Sequence, residues 1–210
     1  TPLFNGIEYF EECYNGIINQ TEGDWIWIIG INGHNDTKIY DMLVSRITDT
    51  RIIVKQYDTI GKVNTLNKMI KDVKTEYIAL CDVDDIWFLQ KLELQKLFVT
   101  HHKEIDIFGT NLQYIGEMNH IPNLPCGLIS LDVLKEINPV VNSSVIMKKE
   151  IAHWIDRFGL EDYDLWFRCL LDSKKIYTIP QPFIYHRVYK ESYFNNSGRQ
   201  NLAGLLDYHL

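Results

Sequence analysis

Along the first half of the chain, apolar positions switch between helical spacing and short continuous runs. Ile7, Phe10, Tyr14, Ile17 and Ile18 fall at helical spacing, which predicts an amphipathic helix over about 7–19 with Asn5 as its N-cap. Trp25 to Ile31 is almost continuously apolar and ends in Asn32-Gly33-His34-Asn35-Asp36, which reads as a buried strand and a polar turn. A weaker helix follows near Lys38 to Ser45, then a short strand at Ile52-Ile53-Val54. Gly61-Lys62 opens a helix with Val63, Leu66, Ile70 and Val73 on one face. Tyr77 to Leu80 has the length of a strand buried on both faces. Leu89, Leu92, Lys96 and Leu97 predict a helix from near Trp87 to about Thr100, and Ile105 to Phe108 is a further strand. Such alternation is the signature of a parallel sheet covered by helices on both faces.

The second half is less regular. Asn111 to Ile115 and Ser143 to Met147 read as strands, and Lys149 to Phe158 as a helix. Residues 116–139 contain Pro122, Pro125 and Pro139, which makes much of that stretch loop. Leu165, Trp166, Cys169 and Leu170 mark one face of a helix, with Glu161 and Asp162 at or before its first turn, where the helix dipole favours negative charge. Asp164 and Arg168 form an i, i+4 pair on the other side. Ile176 to Ile179 and Phe183 to Arg187 are two short strands, and the polar tail from Lys190 turns weakly helical from Asn201.

Composition narrows the class. A chain of 210 residues has one domain as its default. The net charge of −7 argues against a nucleic-acid partner, because phosphate backbones require clustered Lys and Arg. No apolar run reaches the ~18–20 residues of a membrane span, and no basic, apolar signal segment opens the chain. The expected location is cytoplasmic, or the cytosolic face of a membrane. Cys13, Cys81, Cys126 and Cys169 are widely spaced and read as reduced, mostly buried thiols. The sequons at Asn19, Asn35, Asn142 and Asn195 are taken as chance matches.

One stretch carries chemistry. The apolar run to Leu80 leads into Cys81-Asp82-Val83-Asp84-Asp85, three carboxylates in four positions. Carboxyl ends of strands in open α/β sheets are where ligands bind. Three adjacent acids repel each other unless a cation sits among them, and oxygen donors suit a divalent metal. Acids after strands are also ordinary turn and cap residues. Asp85 is read that way, as the cap of the helix near Trp87.

Five motifs, in order, resemble the family 2 glycosyltransferases of the GT-A fold. Thr1-Pro2-Leu3-Phe4-Asn5 is similar to that family's T-P-x-[YF]-N opening, and Ile28 to Gly33 to its strand ending in D-[DN]-G. Gly61 to Asn67 is similar to its G-K-x-x-A-x-N helix start, Asp82-Val83-Asp84-Asp85 to its D-x-D motif, and Glu161 to Trp166 to its E-D-x-D-x-W helix start. A fainter resemblance runs to a glycosyltransferase domain of a large algal virus. The chain departs from the family in three places. Almost nothing precedes Thr1, where the family has an apolar strand. Ile31-Asn32 stands for the usual two acids, and Tyr189 takes the His position of the late Y-R-x-H.

The resemblance implies an α/β GT-A fold with a mixed, mainly parallel sheet and helices on both faces. Residues 1–110 would form a Rossmann-like sugar-nucleotide half and 111–210 an acceptor half of one domain, which can belong to a longer protein. It implies metal-dependent, inverting transfer of a hexose or deoxyhexose from a nucleotide-diphosphate sugar, UDP-linked by preference with TDP-linked donors also open, to a hydroxyl of a glycan acceptor, with Mn²⁺ or Mg²⁺ as cofactor. Asp84 would be the direct metal ligand, and Asp82 would face the ribose or a metal-bound water. Thr1 and Phe4 would border the nucleotide, Phe4 by stacking on the base, unless it packs in the core. Asn32 would read a pyrimidine edge or serve only the turn. Lys62 would meet the phosphates or be a solvated lysine, and Arg187 would meet the diphosphate or form a surface ion pair. Asp162 would be the general base, its pKa raised by Glu161, or else a helix cap. Trp166 would pack beneath the acceptor site. Single displacement needs no enzyme nucleophile, and no Ser-His-Asp set is apparent.

Three rival readings differ by residue. A sugar nucleotidyltransferase needs a Gly-rich, Arg-containing loop, which residues 1–6 lack. A non-catalytic sugar-nucleotide or glycan binding module has no use for a base at Asp162. A calcium module needs Gly and Glu at EF-hand spacing after Asp82, and neither is present.

Overall fold

Residues 1–34, 36–189 and 199–209 are described by the computed structural model. Strands β1 (Pro2–Leu3), β2 (Trp27–Asn32) and β3 (Ile52–Tyr57) form a parallel sheet in the order β1-β2-β3. Side chains alternate across β2. Trp27, Ile29 and Ile31 point into an apolar cluster with Phe10 and Ile17 of helix α1 (Phe10–Ile18) and Leu43 of α2 (Lys38–Arg46). Gly30 points the other way, against Met69 of α3 (Lys62–Asp72). A Cβ on Gly30 would lie 2.4 Å from Met69 Sδ, so the glycine lets α3 close on the sheet. Helices thus cover both faces, as the alternating pattern requires.

The remaining strands are β4 (Tyr77–Ala79), β5 (Ile86–Trp87), β6 (Ile107–Gly116), β7 (Gly127–Leu128), β8 (Ile146–Lys148) and β9 (Ile176–Val188). They form a second sheet in the order β4-β8-β6-β9-β5, with β7 on β9. Here only the long β6–β9 ladder is parallel, and the short pairings are antiparallel. The helices of this half are α4 (Lys91–His101), α5 (Leu131–Glu136), α6 (Glu161–Leu171) and α7 (Arg199–His209). Their core joins Leu66 of α3 to Leu134, Trp154, Leu165, Trp166, Phe167 and Leu205.

Several elements differ from their sequence reading, each for a tertiary reason. The first helix is capped by Gly6 at φ 84°, not by Asn5, and begins as a 3₁₀ turn at Ile7–Tyr9. β4 is half-buried and pairs only with β8, so it is not a strand buried on both faces. Ile107-Phe108 and Asn111 to Ile115 are parts of one strand, β6, interrupted by register shifts at Thr110, Asn111 and Gln113, while Ile105 and Asp106 precede it. The two late strands likewise merge into β9, whose Pro182 faces one of those shifts, where a missing N–H costs the ladder least.

Ser143 is not in a strand, because Asn142–Ser144 form a 3₁₀ turn. Lys149 to Phe158 is not a helix beyond the 3₁₀ turn Lys149–Ile151. There Asn67 engages both the N–H and the C=O of Trp154, at 3.0 and 2.7 Å, and holds the backbone out of helical pairing. Residues 116–139 hold β7 and α5, the latter capped by Ser130, whose Oγ accepts from Val133 N. Cys126 is exposed, and the other three cysteines are buried. Asn35, the polar tail at 190–198 and the Asn195 sequon lie outside the described residues.

Candidate active site

The acids at 82–85 lie just beyond β4 and are held by three other segments. Ser143 Oγ accepts from Asp82 N at 2.9 Å, and Asn142 Nδ2 donates to Asp82 Oδ2 at 3.1 Å. Lys62 Nζ, in the first turn of α3, stands 3.1 Å from Asp82 Oδ1. Burial alone would raise the Asp82 pKa, but Lys62 and Asn142 outweigh it and hold the carboxyl below its ordinary value.

Asp84 has the opposite environment. Burial, with Asp85 and Asp82 beside it, pushes its pKa up to about 6. Tyr189 Oη donates to Asp84 Oδ2 at 3.0 Å.

Asp85 is not a helix cap. The residues after it form β5, and α4 starts only at Lys91. The Asp85 side chain is 1% exposed and accepts from Arg187 N at 3.0 Å, with His186 Nδ1 also at 3.0 Å. Burial would lower the His186 pKa, but Asp85 outweighs it and takes the imidazole up to about 9. Asp85 therefore anchors the acid turn to β9. Arg187 continues that anchor, donating from Nε to Asp84 O at 3.1 Å and from Nη2 to Glu12 at 2.9 Å. Its guanidinium lies 4.6 Å from the centre of the Tyr9 ring.

At the carboxyl ends of β1 and β2, Phe4 is 50% exposed, with its ring 5.4 Å from that of His34. Gly33, at φ 70°, lies flat under it, since a Cβ there would sit 2.8 Å from Phe4 Cε2. Asn32 is 2% exposed, and its Oδ1 has no hydrogen-bond partner among the described residues. A buried acceptor without a partner is costly, which marks it as a group awaiting a donor. Thr1 is not brought to this end. It lies lower in the sheet, where its Oγ1 accepts from Trp27 Nε1 at 2.8 Å and its carbonyl from Gly30 N at 2.8 Å.

The second acid pair arrives on α6. Lys62 Nζ, already on Asp82, is also 3.2 Å from Glu161 Oε1. Asp162 is half-buried in the first turn, and its pKa is pushed up to about 6, by burial first and by Glu161 second, against the pull of Lys62. Asp164 is wholly buried, although the i, i+4 pattern placed it on the outer side. Trp166 is also wholly buried and donates Nε1 to Val140 O at 3.0 Å, a core residue.

An apolar cavity of about 480 Å³ lined by Trp27, Ile28, Leu66, Met69, Ile78 and Leu80 is separate from these acids. Asn142, Ser143, His186 and Glu12 escaped the sequence reading. Asn142 and Ser143 stood out only as a chance sequon, and Ser143 and Ser144 of their turn read as the start of a strand. Among the described residues no three His, Cys, Asp or Glu side chains converge as a metal cage.

The model of glycosyl transferase family 2 matches residues 1–151 of the chain. An uncharacterized glycosyltransferase of Methanocaldococcus jannaschii is 25% identical, over 93% of this chain and 71% of its own length. The O-antigen biosynthesis glycosyltransferase WbnJ of Escherichia coli is 28% identical, over 80% of this chain and 69% of its own length. Among solved structures, Staphylococcus aureus TarS 1–349 in complex with UDP-GlcNAc aligns with a TM-score of 0.76 at 14% identity, over 93% of this chain and 59% of that one. The mannosyltransferase PcManGT of Pyrobaculum calidifontis, in complex with GDP-Man and Mn²⁺, aligns with a TM-score of 0.70 at 13% identity, over 99% of this chain and 61% of that one. The chain thus spans about three fifths of the solved chains it resembles, and at these identities the structural likeness establishes the fold alone.

Proposed function

The chain belongs to glycosyl transferase family 2, and from that premise we propose that it moves a sugar from a UDP-linked donor to a glycan hydroxyl, with inversion and with a divalent cation. That it is a glycosyltransferase with an α/β fold is established by the family and its relatives. The finer reading is carried by one observation: a single ammonium, Lys62 Nζ, stands within 3.2 Å of both Asp82 and Glu161. The turn suited to a leaving diphosphate and the helix start suited to a base therefore share one centre.

On the donor side, Phe4 offers an exposed ring face to a base, and Asn32 Oδ1 offers an unpaired acceptor to an imide N–H of uracil. Asp84 and Asp82 are the residues that would hold a cation. Their oxygens suit Mn²⁺ or Mg²⁺, and the burial and acid crowding that take Asp84 up to about 6 are offset by positive charge. A divalent cation there would supply Lewis-acid stabilisation of the departing diphosphate. Asp82, already engaged by Lys62 and Asn142, has less freedom to ligate than Asp84. Arg187 braces the acid turn through Asp84 O and pairs with Glu12, in keeping with the ion-pair alternative of its sequence reading, and in this proposal it positions Asp84.

On the acceptor side, Asp162 takes the proton of the attacking hydroxyl. A carboxylate with a pKa near 6 is a better base than an ordinary aspartate and is still ionised at neutral pH. The hydroxyl oxygen bonds to the anomeric carbon as the bond to the diphosphate oxygen breaks, in one displacement without an enzyme nucleophile. Residues 1–110 form the donor half in this reading, and 111–210 the acceptor half. Among the described residues no helix is long and apolar enough to cross a membrane.

Calorimetry with UDP, TDP and GDP, with and without Mn²⁺, tests the donor site. UDP is expected to bind with Mn²⁺, and Asp84→Ala to lose that dependence. No binding of any of the three nucleotides would remove the donor-site reading.

A further inference from the structure

The chain enters α6 through a strained turn. Phe158 holds φ 56°, a left-handed conformation that a non-glycine residue keeps only where its surroundings impose it, and Gly159 follows at φ 69°. Two residues later come Glu161 and Asp162.

α7 supplies those surroundings. Gly204 lies against the Phe158 ring, where a Cβ would meet Cε1 at 3.2 Å. The Tyr208 ring covers the Arg157 guanidinium at 3.7 Å. His209 stacks on Phe167 with centroids 5.3 Å apart and brings Nε2 to 3.0 Å from Asp164 Oδ1. Asp164 is wholly buried; Arg168 Nε donates to it at 2.7 Å, and Arg157 Nε lies 2.8 Å away as an ion pair without hydrogen-bond geometry. A buried carboxylate needs such partners, so the cluster fixes all three elements that meet there. Leu205, also wholly buried, seats α7 in the same core. These contacts fall on Arg157, Phe158, Asp164 and Phe167, on both sides of the acid pair, and none is to the acids themselves.

We infer that α7 is a positioning element for the acid pair. It clamps the Phe158–Gly159 turn in its left-handed form and, through Asp164, the first turn of α6, and so sets where Asp162 stands. His209 and Tyr208 are positioning residues acting through that turn. This rests on the reading of Asp162 as the base, while the clamp itself can be measured without any activity.

The test uses the full chain with Tyr208→Ala combined with His209→Ala, and with His209→Gln, which keeps a donor for Asp164. Hydrogen exchange at the amides of residues 159–163 is expected to speed up about tenfold or more in the double variant, because a local opening becomes easier. The transfer kcat is expected to fall about tenfold, while the donor KM and the affinity for UDP stay within about twofold. His209→Gln is expected to restore both readouts. Should the double variant fail to fold, His209→Ala alone, which leaves both arginines on Asp164, gives the same comparison. Unchanged exchange at 159–163 would overturn the inference. So would a donor KM that rises in step with the fall in kcat. If the unaltered chain transfers no sugar, the transferase reading fails, yet the exchange measurement still decides the role of α7.

Discussion

Lys62 Nζ stands 3.1 Å from Asp82 Oδ1, joining the start of α3 to the acid turn after β4 across 20 positions of sequence. A lysine in the first turn of a helix works against the dipole. The two carboxylates it meets, Asp82 and Glu161, account for its place. Lys62→Met should leave both acids unopposed. We expect a loss of about 1–2 kcal/mol in urea unfolding, below the ~3–5 kcal/mol of a fully buried pair. The reason is that the Lys62 side chain is 37% exposed. Unchanged stability together with unchanged UDP affinity would show that the tether matters to neither.

Asn32 should matter to binding and not to folding. Its Oδ1 is buried without a partner, so Asn32→Ala removes an unsatisfied acceptor and is expected to leave the melting temperature unchanged or slightly raised. UDP affinity should fall by about ten- to a hundredfold, the cost of one hydrogen bond to a base edge. Calorimetry with UDP reads this directly, and an undiminished affinity would show that the base sits elsewhere.

The pH profile follows from Asp162. Its carboxyl is held up at about 6, and only the ionised form accepts a proton. Activity, as kcat/KM, is therefore expected to be full above that value and to fall as pH drops through about 6. Asp162→Asn should lose transfer by about 10²–10⁴-fold while keeping nucleotide binding. An active Asp162→Asn enzyme with the same acid limb would assign the base to another residue.

Asp106 gives a prediction away from the site. Lys148 Nζ lies 2.9 Å from Asp106 Oδ1, and Lys175 N donates to Oδ2 at 2.9 Å. Burial would raise the Asp106 pKa, but these two partners outweigh it, and the carboxyl is held below its ordinary 3.8. A lowered folded-state value means the stabilisation is fully present above 3.8 and is lost as pH falls through the lower value. Asp106→Asn should cost about 1–2 kcal/mol at pH 7, and its gap from the unaltered protein should close in acid. Paired urea titrations at neutral and acidic pH measure the gap. A gap independent of pH would place the effect in packing, not in charge.

The sequence by itself determined the features that depend on neighbours in the chain. Apolar runs marked β2 and β6, helical spacing marked α1, α3 and α6, and Gly61-Lys62 and Glu161-Asp162 marked two helix starts that reached the candidate site. The acid turn itself was legible from three carboxylates after an apolar run. Those signals are local because backbone periodicity and like-charge crowding act over a few residues.

Which partners each acid meets was set by the tertiary structure alone. Asp85 became an anchor because His186 meets it from 101 positions away. Asp82 drew a partner, Asn142, from 60 positions away in a turn whose Ser143 and Ser144 local pattern read as the start of a strand. Lys149 to Phe158 stayed irregular because Asn67, 87 positions earlier, satisfies the Trp154 backbone. In each case a side chain distant in sequence met a buried or half-buried polar group. No pattern of apolar residues records that pairing, since it exists only once the sheets and helices have packed.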